Sequence, residues 1–303
     1  MLTLFRFLCV ALCLASGLSA QQPPAAPELQ SQLAQLMKGK PGAAAVLDVA
    51  SGKLIASWNL KLAAQRLAAP GSTVKPFVLD KLLRAGKLRP EKRLVCRRPL
   101  YISGRRMDCS HSPAITDLDA ADAIAYSCNS YFAAVATQLT PQELADVYRR
   151  AGFVSLTRLA PSEVAGRIIP APSTGQLQLQ ALGDWGVEIT PLELLWAYRN
   201  LALQKRHNET GASAPVFDGL EHSVQYGMAH AAQPDGITAA GKTGTAAGRG
   251  TASTHAFFAG YAPAEKPEIV VMVYLENGRG ADAAALAAPI FTAYGKQAHG
   301  AQR

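Results

Sequence analysis

Beyond its first twenty residues the chain has no apolar run long enough to cross a bilayer. It has no long low-complexity tract and no repeat of 20–50 residues, which excludes solenoids and propellers. Charged residues make up only 17% of the 303 residues against 49% hydrophobic, the reverse of a disordered composition. Aromatics are few, at 7%, and do not interleave with the small basic clusters Lys92-Arg93, Arg97-Arg98 and Arg105-Arg106. A single-stranded nucleic acid groove needs that interleaving, so no nucleic acid partner is expected.

Residues 1–20 carry one charge, Arg6, then an apolar run from Phe7 to Leu14 and a small-residue end, Ala15 to Ala20. This is the pattern of a signal peptide, with cleavage expected after Ser19 or Ala20 and export to the periplasm or cell envelope. An uncleaved leader would instead leave the protein associated with the membrane. Without Arg6 the mature chain has 29 basic and 22 acidic residues. Its excess of positive charge suits a polyanionic envelope or an anionic peptide.

Cysteine is scarce. Removal of the leader takes Cys9 and Cys13 and leaves Cys96, Cys109 and Cys128, an odd number in an oxidising compartment. Cys96 and Cys109 bracket a short polar segment, and a disulfide is expected between them, contributing about 3 kcal/mol in the chain-entropy model. Zinc is the rival because His111 follows closely, but three candidate ligands make a poor structural site, so no metal is expected. Cys128 has an apolar sequence neighbourhood and reads as a buried free thiol.

What is present begins at Pro70-Gly71-Ser72-Thr73-Val74-Lys75-Pro76-Phe77, a turn opening a core helix that runs through Leu83, with Gly86 suited to its C′ position. Residues i and i+3 of a helix share a face, so Ser72 Oγ and Lys75 Nζ can meet, and a neighbouring amine can activate a serine. Upstream, 21–40 reads as a Pro/Gln/Ala-rich linker and a short helix over Pro27–Lys38. Ala43–Ala50 and Lys53–Trp58 flank a Ser-Gly turn as a β-hairpin. The stretch 88–113 lacks periodicity. From about 117 to 205 the pattern is mostly helical, interrupted at Ser127-Cys128-Asn129, and Thr140-Pro-Gln-Glu143 and Thr190-Pro-Leu-Glu193 are capping boxes. After Gly236 the pattern turns to β through Lys242-Thr243-Gly244-Thr245, His255–Tyr261 and Glu268–Leu275, and an Ala-rich helix, 281–298, closes the chain. Strands at both ends around a helical insert predict an α+β fold: an antiparallel sheet built from both termini, helices packed on it and a helical lobe at about 88–205, all within 41–298.

Three short motifs therefore stand in order: Ser72-x-x-Lys75 at a helix start, Ser127-x-Asn129 in a break between helices, and Lys242-Thr243-Gly244 at a strand. Each alone is weak; their order and context are those of the penicillin-recognising serine acyl enzymes. The chain resembles the penicillin-binding protein transpeptidases from about Ala43 to Thr292. The surroundings of the first two motifs share in the resemblance, as do Glu163-Val-Ala-Gly166, Gly186–Leu194 and Phe258–Pro263. The resemblance implies a five-stranded antiparallel sheet flanked by helices, with an all-helical subdomain. It implies that Ser72 is acylated by the D-Ala-D-Ala end of a peptidoglycan stem peptide, or by β-lactams as mimics, with transfer to an amine or to water and no cofactor. Lys75 would accept the proton, Ser127 relay one to the leaving nitrogen and Asn129 hold the substrate amide. Lys242 and Thr243 would bind the terminal carboxylate. Gly244 would let the strand approach the substrate, and the N–H groups of Ser72 and Thr245 would form the oxyanion hole.

A neutral Lys75 calls for burial or a second cation such as Lys242. Two other readings stay open: a penicillin sensor or peptidoglycan-binding scaffold without turnover, and a β-lactamase. The β-lactamase reading is disfavoured because Glu163 is followed at the third position by Gly166, and because Cys128 stands in the second motif where an aspartate is usual. Glu163 reads as a structural loop residue. His111, His207, His222, His230 and His255 read as structural, and Trp185 and Trp196 as core.

Overall fold

A computed structural model describes residues 26–247 and 253–300. The expected leader and most of the linker lie outside them. Among the described residues no helix is long and apolar enough to cross a membrane.

The expected antiparallel sheet is present, with five strands: β1 (Gly42–Asp48), β2 (Leu54–Trp58), β3 (Ala240–Ala247), β4 (Thr254–Ala262) and β5 (Ile269–Leu275). Their spatial order is β2-β1-β5-β4-β3. The N-terminal hairpin is thus zipped to the C-terminal strands by β1 against β5, from Gly42 opposite Leu275 to Asp48 opposite Ile269. Successive side chains of a strand point to opposite faces, and the long apolar strands divide accordingly. Val270, Met272 and Tyr274 enter one core with Ala43, Ala45 and Leu47, while Ile269, Val271, Val273 and Leu275 enter a second with Ala44 and Val46. Both faces are covered, which is why β5 reads as an unbroken apolar run.

Helices α1 (Ala26–Met37) and α10 (Gly280–Gly300) cover the second face. On the first face α2 (Leu60–Gln65), α8 (Pro191–Arg206) and α9 (Ala214–Gln225) pack on the sheet, and α3 (Lys75–Arg84), α4 (Ala120–Ala125), α5 (Asn129–Ala136), α6 (Pro141–Ala151) and α7 (Thr174–Ala181) pack with them in the same core. A short 3₁₀ turn, Gly71–Val74, precedes α3, so Pro76 falls at the start of the helix where its missing N–H costs little. Gly86 has φ +63°, as its place after the helix end requires.

Both capping boxes form, in different environments. Thr140 and Glu143 are not buried, whereas Thr190 and Glu193 are. Glu193 accepts from Thr190 N at 2.7 Å and, across the lobe, from Gly166 N at 2.8 Å. Glu193→Ala is therefore expected to orphan one buried and one half-buried donor and cost about 2–4 kcal/mol, and Glu143→Ala only about 1 kcal/mol. Urea denaturation of the two variants checks the difference.

Candidate active site

The Ser72 turn is fixed through its carbonyls. Thr73 Oγ1 donates to Pro70 O at 2.8 Å, and Tyr198 OH, from α8, donates to Thr73 O at 2.9 Å. His255 Nε2 lies 2.7 Å from Ala69 O. Burial lowers the pKa of this histidine, so it stands as a neutral ring donating to that carbonyl. Gly71 N donates to Gly183 O at 2.9 Å. Ser72 itself is half-buried, and its hydroxyl makes no hydrogen bond among the described residues.

Lys75 is fully buried one turn on. The expected pairing with Ser72 Oγ is not the one made. Nζ donates to Ser127 O at 2.8 Å, Ser127 Oγ at 3.2 Å and Asn129 Oδ1 at 2.6 Å. An ammonium has three donors, and the second motif takes all three. Ser127 adopts φ +53° in the break between α4 and α5, which presents both its oxygens to one amine. Asn129 Nδ2 is held by Met107 O at 3.0 Å, so the irregular excursion fixes the other end of the amide. Burial lowers the Lys75 pKa from its ordinary value to about 8.

Lys242 is also fully buried, in β3, with Nζ 3.1 Å from Thr243 O. Burial and then the Lys75 charge push its pKa well down. Of the two causes the sequence left open for a lowered Lys75 pKa, burial is the leading one.

At Gly244 a Cβ would stand 2.4 Å from Pro70 O and 2.9 Å from the Thr73 methyl. The glycine thus lets β3 approach the Ser72 turn closely. Gly71, at φ +54°, meets Thr245 in the same way, its would-be Cβ 3.0 Å from Thr245 N. Thr245 is thereby placed beside the serine, and its hydroxyl accepts from Gly280 N at 2.8 Å. Thr243 is buried in β3, and β3 is an edge strand with one side open.

Residues that sequence reasoning missed line a cleft of about 420 Å³ beside the turn: Ala69, Arg105, Arg167, Asp184, Trp185 and Ala247. Arg105 Nη2 pairs with Asp184 at 2.5 Å. Trp185, expected in the core, is half-buried at this wall. No local motif marks these residues, which meet only through the fold. Glu163 is structural, as expected. It accepts from Thr157 Oγ1 at 2.9 Å, Arg158 N at 3.1 Å and Ala160 N at 2.8 Å, which closes its own loop.

The expected Cys96–Cys109 disulfide is not formed. Both are free thiols with Sγ atoms 3.5 Å apart, and Cys128 Sγ lies 3.6 Å from that of Cys109. Cys128 is a buried free thiol in the apolar core, as expected, and it also faces the sulfur of Cys109. His111 completes the group with Nε2 3.6 Å from Cys96 Sγ. The count of three candidate ligands was short by one because Cys128 arrives from another element.

A five-stranded antiparallel sheet between helical layers, with a buried lysine reaching from a serine turn to a second Ser/Asn motif, defines the transpeptidase and β-lactamase-like fold. The sequence profile of the penicillin binding protein transpeptidase domain matches residues 37–294, and the chain belongs to that family. It is 27% identical to the peptidoglycan D,D-transpeptidase PbpA of Mycobacterium tuberculosis over 263 residues, 73% of this chain and 53% of PbpA. It is 28% identical to the peptidoglycan D,D-transpeptidase MrdA of Acinetobacter baumannii over 224 residues, 56% of this chain and 33% of MrdA. The chain thus spans about half or less of the length of these relatives. Among solved structures, the TP domain of Burkholderia pseudomallei penicillin-binding protein 3 superposes with a TM-score of 0.77 at 22% identity, covering 91% of this chain and 95% of that one. The D,D-transpeptidase domain of a peptidoglycan glycosyltransferase from Eggerthella lenta gives 0.76 at 21% identity, covering 91% and 81%.

Gly244→Ala is expected to force β3 off the Ser72 turn and cost about 1–3 kcal/mol, read by thermal denaturation.

Proposed function

We propose that this chain is a serine acyl-transfer enzyme of the cell envelope, acting on the D-Ala-D-Ala end of peptidoglycan stem peptides and acylated by penicillins at Ser72. The observation that supports it most is the buried Lys75 ammonium, one turn along from Ser72 and shared between Ser127 and Asn129 of the second motif.

An extended peptide docks along the open side of edge strand β3, main chain to main chain. Its terminal carboxylate meets Lys242 and Thr243. The arriving anion stabilises the protonated form of Lys242, which burial disfavours in the free site. Lys75, once neutral, accepts the proton of Ser72 Oγ as the oxygen attacks the penultimate carbonyl. The N–H groups of Ser72 and Thr245 hold the developing oxyanion. Ser127, hydrogen-bonded to Lys75, passes a proton to the leaving D-alanine nitrogen, and Asn129 holds the substrate amide. The acyl group then leaves to an amine, which cross-links, or to water, which trims. Glu163 is committed to its own loop, and this weighs against a β-lactamase that uses it to activate water.

Labelling the purified chain with a fluorescent penicillin should give a stable band that is lost in Ser72→Ala. Unlabelled protein with the penicillin intact would defeat the proposal, and hydrolysed penicillin without a band would replace it with a β-lactamase. The acylation rate should rise with pH and level off above about 8, where the buried Lys75 loses its proton. A rate that is flat from pH 6 to pH 9 would remove Lys75 as the base. Lys75→Ala should slow acylation by about 10²–10⁴-fold.

A further inference from the structure

We propose that Cys96, Cys109, His111 and Cys128 form a tetrahedral site for a zinc-class divalent cation, which straps the irregular excursion onto the second motif of the active site. The four donor atoms lie within 4.8 Å of one another. A tetrahedron with Zn–S bonds of about 2.3 Å has S···S edges of about 3.8 Å. The edges in the structure are 3.5 Å for Cys96–Cys109, 3.6 Å for Cys109–Cys128 and 3.6 Å for Cys96 to His111 Nε2. The group therefore needs only a small expansion to take the ion. A disulfide would use two of the three thiols and strand the third; a metal uses all three and the imidazole.

The surroundings fit a thiolate site. Backbone N–H groups at the start of α5 point at two sulfurs: Ser130 N lies 3.4 Å from Cys109 Sγ and Tyr131 N 3.4 Å from Cys128 Sγ. His111 Nδ1 lies 3.1 Å from Ser112 O, and donation to a carbonyl is what fixes the tautomer of a metal-binding histidine. Arg98 Nη2 lies 3.0 Å from Nδ1 and 3.3 Å from Nε2, and donates to His111 O at 2.8 Å. With the ion on Nε2, Arg98 keeps the carbonyl, and its charge offsets the net single negative charge of three thiolates and a dication. Binding releases thiol protons to solvent and moves no electrons.

The ion is a positioning element. Cys128 stands between Ser127 and Asn129, the two residues that hold Lys75. Cys109 follows Met107 and Asp108, whose carbonyls hold Asn129 Nδ2 at 3.0 and 3.4 Å. One ion thus fixes both ends of the Asn129 side chain. The site stands on its own geometry; its effect on acylation rests on the acyl-transfer reading above.

The test is elemental analysis of the full chain purified from zinc-supplemented medium without chelator, with intact mass and thiol counting alongside. One zinc per chain and three thiols that react only after chelation are expected. Cobalt exchanged into the site should show thiolate-to-metal absorption in the near ultraviolet, weakened in His111→Ala, and zinc affinity in that variant should fall by more than about tenfold. Chelation should slow penicillin acylation by about tenfold, with recovery on adding zinc. No metal above background, a mass two hydrogens low from a disulfide, or stoichiometric zinc retained in a Cys96→Ser/His111→Ala double variant would overturn the site. An acylation rate unmoved by complete zinc removal would overturn its positioning role. A chain that holds zinc yet never labels at Ser72 would leave the site standing and fail the acyl-transfer reading instead.

Discussion

The structure of the active centre depends on one buried ammonium. Among the described residues Lys75 has no carboxylate partner; three oxygens from a separate helix junction satisfy it. A charge buried that deeply is tolerated only where its donors are fully met. The demand dictates the local backbone: Ser127 takes a left-handed conformation, α4 stops, and α5 restarts at Asn129. The helical lobe is thereby docked onto the sheet layer through the same atoms that the proposed chemistry uses. Its position in the core also lowers the pKa of the lysine to about 8.

A second constraint is closeness of backbone. The Ser72 turn is pressed against β3 with two glycines at the contact, and its carbonyls are pinned by Tyr198, His255 and Thr73. None of these bonds touches the serine hydroxyl. The turn is held rigid around a side chain that is left unengaged, an arrangement suited to a nucleophile that must reach a carbonyl arriving along an edge strand.

Much of this was legible in the sequence. The Ser-Gly turn between Ala43–Ala50 and Lys53–Trp58 and the apolar run of β5 gave strands at both ends of the chain, and the Thr-Pro-x-Glu boxes placed two helix starts. The three motifs met as their order implied. What the sequence did not show has physical reasons. The oxygens that satisfy the Lys75 ammonium come from about fifty residues away. The close contact of Gly244 with Pro70 joins a strand to a turn far from it in sequence. The expected Cys96–Cys109 disulfide took no account of Cys128, which caps α5 and sets its sulfur beside that of Cys109. The cleft formed by Arg105, Asp184 and Trp185 has no periodicity or motif to betray it.

The pairing of β1 with β5 joins segments more than two hundred residues apart in sequence. Such long-range closure is slow, since loop entropy is lost before the contacts return it. A ribosome delivers the hairpin first and β5 more than two hundred residues later, so the sheet stays unzipped until β5 has emerged. The Ser72 turn rests on β3, which is also made after the helical lobe. A product stalled before β3 would thus carry the serine turn without the strand that supports it.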